Sequence, residues 1–256
     1  MEKHYKGYLI DLDGTIYLGK EVIPAGKRFV ERLQELNLPF LFVTNNTTKA
    51  PQAVVDRLAQ EFDIHVPIET VYTASLATID YMKEQKKGQR VYVIGESGLV
   101  DLILVAGFIW DEKTPDYVIV GLDTEITYEK FAIAALAIRN GAVFIGTNPD
   151  KSIPTERGLL PGAGSFISLV ATATQTTPIM IGKPNKIIMN ESLKVLGLEK
   201  EEVIMVGDNY ETDIQSGLQN GIDSLLVLSG FTPKEAVPDL PAKPTYILNS
   251  LDEWTF

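Results

Sequence analysis

The chain has 256 residues, with 23 Lys plus Arg against 34 Asp plus Glu, a formal charge of −11 and 45% apolar residues. This allows one large domain or two ordinary ones, excludes global disorder, and argues against a nucleic-acid or anionic-membrane surface, which needs clustered Lys and Arg. There is no cysteine, so disulfides and thiolate chemistry are excluded, and His4 and His65 are too few for an imidazole-rich metal site.

Polar and acidic residues enter early (Glu2, Lys3, Asp11), unlike a signal peptide, and no apolar run approaches the roughly 18 residues of a membrane span. The expectation is a soluble, cytoplasmic protein.

Tyr8-Leu9-Ile10 reads as a buried strand. Phe29, Val30, Leu33 and Leu36 are apolar at helical spacing, in a helix that Pro24 helps to start. Pro39–Thr44 reads as a second strand and Pro51–Phe62 as a helix, with Thr47 or Thr48 as its expected N-cap. The alternation returns at Val91–Ile94, Leu99–Val105, Tyr117–Val120, Tyr128–Arg139 and Val143–Gly146. It continues at Pro178–Ile181, Lys186–Leu196, Val203–Val206 and Leu225–Leu228. Strands this apolar, interleaved with helices, predict an α/β architecture with parallel sheets. Glu199–Glu202 is a charge run, read as a solvated helix–strand connection. Gly162-Ala163-Gly164 and Gly95-Glu96-Ser97-Gly98 lack the spacing of a dinucleotide fingerprint, and no phosphate loop of the G-x-x-x-x-G-K-[ST] type is present.

Polar segments follow predicted strands at Asp11-Leu12-Asp13-Gly14-Thr15, Thr44-Asn45-Asn46, Gly182-Lys183-Pro184-Asn185 and Gly207–Asp213. Ligands of open α/β sheets bind at the carboxyl ends of strands, so these distant segments are expected to converge. Gathered carboxylates repel one another unless a cation joins them or their pKa values rise. Without His or Cys, the hard oxygens of Asp11, Asp13 and Asp208 suit Mg²⁺. Taken singly, each segment has a bland reading: a D-x-D-G turn, a threonine cap, a surface lysine, aspartates capping the next helix. Their order, spacing and strand-end placement agree only as a set.

That set resembles the haloacid dehalogenase (HAD) superfamily of phosphohydrolases, on Asp11–Thr15, Thr44, Lys183 and Gly207–Asp213. Val43–Asn46, Gly146–Asp150, Leu160–Gly164, Gly182-Lys183-Pro184 and Val227–Gly230 look like its NagD-like, p-nitrophenyl-phosphatase-like branch. The resemblance implies a Rossmann-like parallel-sheet core of the HAD type with an inserted α/β cap domain. It implies an Mg²⁺-dependent phosphatase that forms an aspartyl-phosphate. Asp11 would be the nucleophile and Asp13 the general acid and base, its backbone carbonyl rather than its side chain meeting the metal. Asp208 would bind the metal directly, with Asp213 behind it, holding a metal-bound water or Lys183. Thr44, Asn45 and Lys183 would contact the phosphoryl group, and Asn209, Tyr210, Glu211 and Thr212 would close over it.

About 30 residues separate Thr15 from Thr44, one βαβ crossover, but about 140 separate Thr44 from Lys183, leaving about 100 to spare. An inserted domain is therefore expected over residues 80–175, with the core at 1–79 and 176–256. Its position matches the C2-type cap of that branch. A full-size cap favours a small phosphorylated metabolite as partner. Asn148 and Asp150 are candidates for leaving-group contacts, or form an Asn-Pro-Asp turn that fixes a hinge. Caps of the branch often offer a dimer surface, so a homodimer through the cap stays open. Competing readings are a phospho-accepting switch and a phosphate-binding module without turnover. An acid two residues after the acceptor, Asp13, argues for hydrolysis over both.

Overall fold

The computed structural model describes residues 3–155 and 157–256. The chain divides into two compact units, Met1–Thr44, Pro51–Tyr72 and Lys183–Phe256 forming the first and Asn45–Ala50 and Thr73–Gly182 the second.

In chain order the first unit begins with β1 (Gly7–Ile10), a small hairpin of β2 (Tyr17–Leu18) and β3 (Glu21–Val22), α1 (Pro24–Glu35), β4 (Phe40–Thr44), α2 (Pro51–Phe62) and β5 (Val71–Thr73). The chain then runs through α3 (Ala74–Gln85), β6 (Arg90–Ile94), α4 (Ser97–Val105), β7 (Ile109–Trp110), β8 (Tyr117–Val120), α5 (Tyr128–Arg139) and β9 (Val143–Gly146). The second unit ends with β10 (Ser152–Thr155), β11 (Gly158–Pro161), α6 (Ala163–Thr174) and β12 (Ile179–Met180). The first unit resumes with α7 (Lys186–Leu196), β13 (Val203–Gly207), a π-helical turn (Tyr210–Ile214), α8 (Gln215–Asn220), β14 (Asp223–Val227) and β15 (Tyr246–Leu248).

The first unit's sheet has the order β15-β14-β13-β1-β4-β5. Its central pairings are parallel, with Ile10 beside Val206 on one side and Phe42 on the other. Every residue of β1, β4 and β13 is buried, as a parallel sheet covered on both faces requires. Full burial of Leu9 or Ile10 stabilises the fold by roughly 1.5–3 kcal/mol each. Helix α1 starts at Pro24 and packs Phe29, Val30 and Leu33 inward. It ends where Asn37 turns to φ 53° and the Leu38 N–H returns to the Leu33 carbonyl at 2.9 Å.

The second unit carries its own five-stranded sheet, β12-β9-β8-β6-β7, parallel throughout. Its core gathers Tyr92, Ile94, Val118, Val120, Phe144 and Ile167.

Three expectations need adjustment. A division at 79/80 would cut α3, which is one continuous helix, and one at 175/176 would separate β12 from its partner β9. Thr47 and Thr48 do not cap α2, which starts at Pro51; the Thr48 N–H instead bonds Asn46 Oδ1 at 2.8 Å. The strand before Lys183 lies in the second unit's sheet, although Lys183 itself belongs to the first unit. The charge run at Glu199–Glu202 is the helix–strand connection expected, self-capped by Glu199 and Glu202. Among the described residues no helix is long and apolar enough to cross a membrane.

Candidate active site

In the first unit β1 lies between β13 and β4, where the crossovers change direction, so a crevice opens at the carboxyl ends of β1 and β13. Asp11 follows β1 and Asp208 follows β13. The Asp11 N–H extends the ladder to the Val206 carbonyl at 2.9 Å, which fixes its backbone.

Lys183 is 2% exposed, and its Nζ donates to Asp11 Oδ1 at 2.5 Å and to Asp213 Oδ1 at 2.7 Å. Asp11, Asp208 and Asp213 each offer a carboxylate oxygen within 4.8 Å of the others. Asp213 sits on the π-helical turn, where its Oδ2 accepts the Asn209 N–H at 3.1 Å and its Oδ1 the Thr212 hydroxyl at 3.2 Å. A side chain at Gly207 would come within 2.3 Å of Asp213 Oδ2, which is why a glycine ends β13.

Asp208 is gripped from both sides. Thr15 Oγ1 donates to its Oδ1 at 3.1 Å and the Phe231 N–H to its Oδ2 at 2.6 Å. Gly14 takes φ +93°, and a Cβ there would sit 2.1 Å from Asp208 Oδ2, so the fourth position of D-L-D-G-T accepts no side chain.

One ammonium, that of Lys183, is paired with Asp11 and Asp213, and the Asp208 carboxylate lies beside them. Burial first, then the Asp213 charge, pushes the Asp11 carboxyl well above the usual range, with Lys183 opposing. The same two causes raise Asp208 to about 6, against the Phe231 and Thr15 hydrogen bonds. Burial alone would lower the Lys183 ammonium, but Asp11 and Asp213 outweigh it and hold its pKa above the ordinary lysine value. Excess negative charge on hard oxygen donors fits a divalent cation of the Mg²⁺ type, which takes few protein ligands and keeps waters.

The Asp13 side chain lies outside this carboxylate cluster and is exposed, with the Gly19 N–H 3.5 Å from its Oδ1. Thr44 is 9% exposed at the end of β4. Asn209 Oδ1 accepts the Glu211 N–H, and the Glu211 side chain is exposed. Tyr210 departs from expectation. Its ring packs with Ile214 and Leu226, and its hydroxyl donates to the Ala242 carbonyl at 2.9 Å, so the side chain is a core anchor and not a phosphate contact.

Within the second unit Asn45, Asn148 and Asp150 meet one another. Asn45 Nδ2 donates to Asp150 Oδ1 at 3.1 Å, Asn148 Nδ2 donates to the Asn45 carbonyl at 2.9 Å, and Asn148 Oδ1 accepts the Asp150 N–H at 3.2 Å. Asn148 is 4% exposed and its amide is bonded at both ends. Sequence reasoning assigned no role to Ser229–Thr232. Besides the Phe231 N–H, Ser229 Oγ donates to the Gly14 carbonyl at 2.7 Å and the Thr232 N–H to the Asp208 carbonyl at 3.1 Å. The signal was their place just past β14, the strand next to β13.

The chain matches known families and proteins along most of its length. Residues 8–109 match the model of a haloacid dehalogenase-like hydrolase family, and residues 180–254 match a HAD-hydrolase-like model. The chain is 50% identical to the 5'-nucleotidase YutF of Bacillus subtilis (strain 168) over 252 residues, 98% of each chain. It is 49% identical to an acid sugar phosphatase of Staphylococcus aureus (strain USA300), covering 98% of this chain and 97% of that one. The crystal structure of a double mutant of the thermostable NPPase of Geobacillus stearothermophilus superposes with a TM-score of 0.92 at 48% identity, over 99% of both chains.

Proposed function

We propose that this chain, which belongs to the haloacid dehalogenase-like hydrolase family, is a phosphoric monoester hydrolase that acts on small phosphorylated metabolites through an aspartyl-phosphate on Asp11. The observation that carries this reading is the Lys183–Asp11 pair, 2.5 Å apart at the end of β1, beside the carboxylates of Asp208 and Asp213.

Asp11 Oδ attacks phosphorus as the bond from phosphorus to the leaving oxygen breaks. Asp13 passes its proton to that oxygen, then takes one from the water that opens the acyl phosphate. A carboxylate approaching a phosphate dianion needs positive charge around it, and the Lys183 ammonium is already in place. The Thr44 hydroxyl is assigned to a phosphoryl oxygen. Asp11 and Asp208, with Asp213 behind them, would hold Mg²⁺. When bound, that ion neutralises charge on the phosphoryl oxygens. Selection among leaving groups is assigned to the second unit, inserted between Thr44 and Lys183.

The test is p-nitrophenyl phosphate turnover by Asp11→Asn. An amide is a poor nucleophile, so turnover should vanish while the fold is kept. Appreciable residual turnover would move the nucleophile elsewhere.

A further inference from the structure

Arg57 on α2 has an ordinary role to hand, an i,i+4 ion pair with Glu61 at 3.0 Å, worth about 0.3–0.5 kcal/mol on a helix surface. Its other contacts exceed that role. The guanidinium lies over the Tyr17 ring at 4.6 Å and the Phe62 ring at 5.2 Å, and those rings stack on each other at 4.8 Å. Its Nη2 also donates to the Gly19 carbonyl at the tip of the β2–β3 hairpin.

That hairpin is tied to Asp13. Asp13 and Tyr17 form an isolated bridge, and the Gly14 N–H donates to the Tyr17 carbonyl at 2.6 Å. The Gly19 N–H points to Asp13 Oδ1 at 3.5 Å, the long end of hydrogen-bond reach. Gly19 is thus held through its carbonyl by Arg57 while its N–H addresses the Asp13 carboxylate. Leu18, Gly19, Lys20 and Glu21 are exposed, so packing does little to hold the tip.

We propose that Arg57 is a positioning residue for proton transfer. By pinning the hairpin tip it holds the Gly19 N–H against Asp13 and sets the direction in which Asp13 delivers its proton. This rests on Asp13 being the acid of the proposed reaction. In that step the Asp11–phosphorus bond forms, the ester P–O bond breaks, and the leaving oxygen takes the Asp13 proton. A misdirected Asp13 slows the step most when the leaving oxygen is basic and least when it is already a good leaving group.

The experiment measures kcat/KM for p-nitrophenyl phosphate and phenyl phosphate in the wild type, Arg57→Met, Arg57→Lys and Asp13→Asn. Because both substrates are compared on the same preparation, partial unfolding of a variant cancels in the ratio. Arg57→Met should lower the phenyl phosphate value about tenfold more than the p-nitrophenyl phosphate value, part of the roughly 10²–10⁴-fold that a general acid supplies. Arg57→Lys, which keeps a cation and a donor, should restore most of the ratio. A wild-type ratio in Arg57→Met alongside a shifted ratio in Asp13→Asn would overturn the role of Arg57 and leave Asp13 as the acid. An unshifted ratio in Asp13→Asn would remove the acid itself, and this proposal with it.

Discussion

Lys183 Nζ lies 2.5 Å from Asp11 Oδ1, with the lysine 2% exposed and its side chain closed in a second pair with Asp213. A buried ammonium between two carboxylates is at once a structural tie and the nearest positive charge to the proposed nucleophile.

Removing that ammonium should therefore cost both stability and activity. Lys183→Met leaves Asp11, Asp208 and Asp213 facing one another uncompensated. Breaking a buried pair by deleting one partner costs about 3–5 kcal/mol. Urea unfolding at neutral pH without metal should show a loss of that order, with phosphatase turnover lost as well. A change below about 1 kcal/mol would mean that the pair is as solvated as a surface bridge.

The acidic cluster also sets a pH dependence. Asp208 is held at about 6 in the folded chain against an ordinary 3.8, by burial first and then by Asp213. A raised carboxyl binds its proton more tightly folded than unfolded. Its favourable contribution is present below the ordinary value and is lost as pH rises through about 6. At ~1.4 kcal/mol per pH unit, the interval costs about 3 kcal/mol at neutral pH. A divalent cation that takes the proton's place offsets this cost. The rise in Tm on adding Mg²⁺ should be small near pH ~5 and grow to a plateau above pH ~7, with Asp208→Asn flattening the curve. A pH-independent Mg²⁺ effect would contradict a cation among these carboxylates.

Thr15 tests how Asp208 is aimed. Its hydroxyl donates to Asp208 Oδ1 at 3.1 Å inside a fully buried shell. Thr15→Val keeps the shape and deletes the donor. Partners that orient a metal ligand typically matter by about 10–100-fold, so Mg²⁺ affinity by calorimetry should weaken within that range. Unchanged affinity would assign the aim of Asp208 to the Phe231 N–H rather than to Thr15.

Most of the architecture was legible because its signals are local. Tyr8-Leu9-Ile10 is buried on both faces and could hardly be anything but an inner strand, and α2 occupies the span read for it, Pro51–Phe62. Asp11 and Asp208 stood out because strand ends of a parallel sheet gather ligands, and Lys183 only as a member of the whole set. What escaped depends on tertiary pairing or on very short elements. The β2–β3 hairpin has two residues per strand and no alternation to read. The strand at Ile179–Met180 was visible, but which sheet it joins is decided by pairing with β9. Tyr210 sits inside a polar motif, and only the packing against Ile214 and Leu226 reveals it as an anchor. The Phe231 N–H had only its place just past β14 to mark it, since any residue but proline carries that donor.

The central claim is covalent: the side chain at position 11 is phosphorylated in each turnover. The direct measurement is a rapid acid quench during p-nitrophenyl phosphate turnover, borohydride reduction of the acyl phosphate, and peptide mass spectrometry. The expected result is homoserine in place of Asp11, absent without substrate and absent in Asp11→Asn. Reduction at another carboxylate, or none during measurable turnover, would contradict the account.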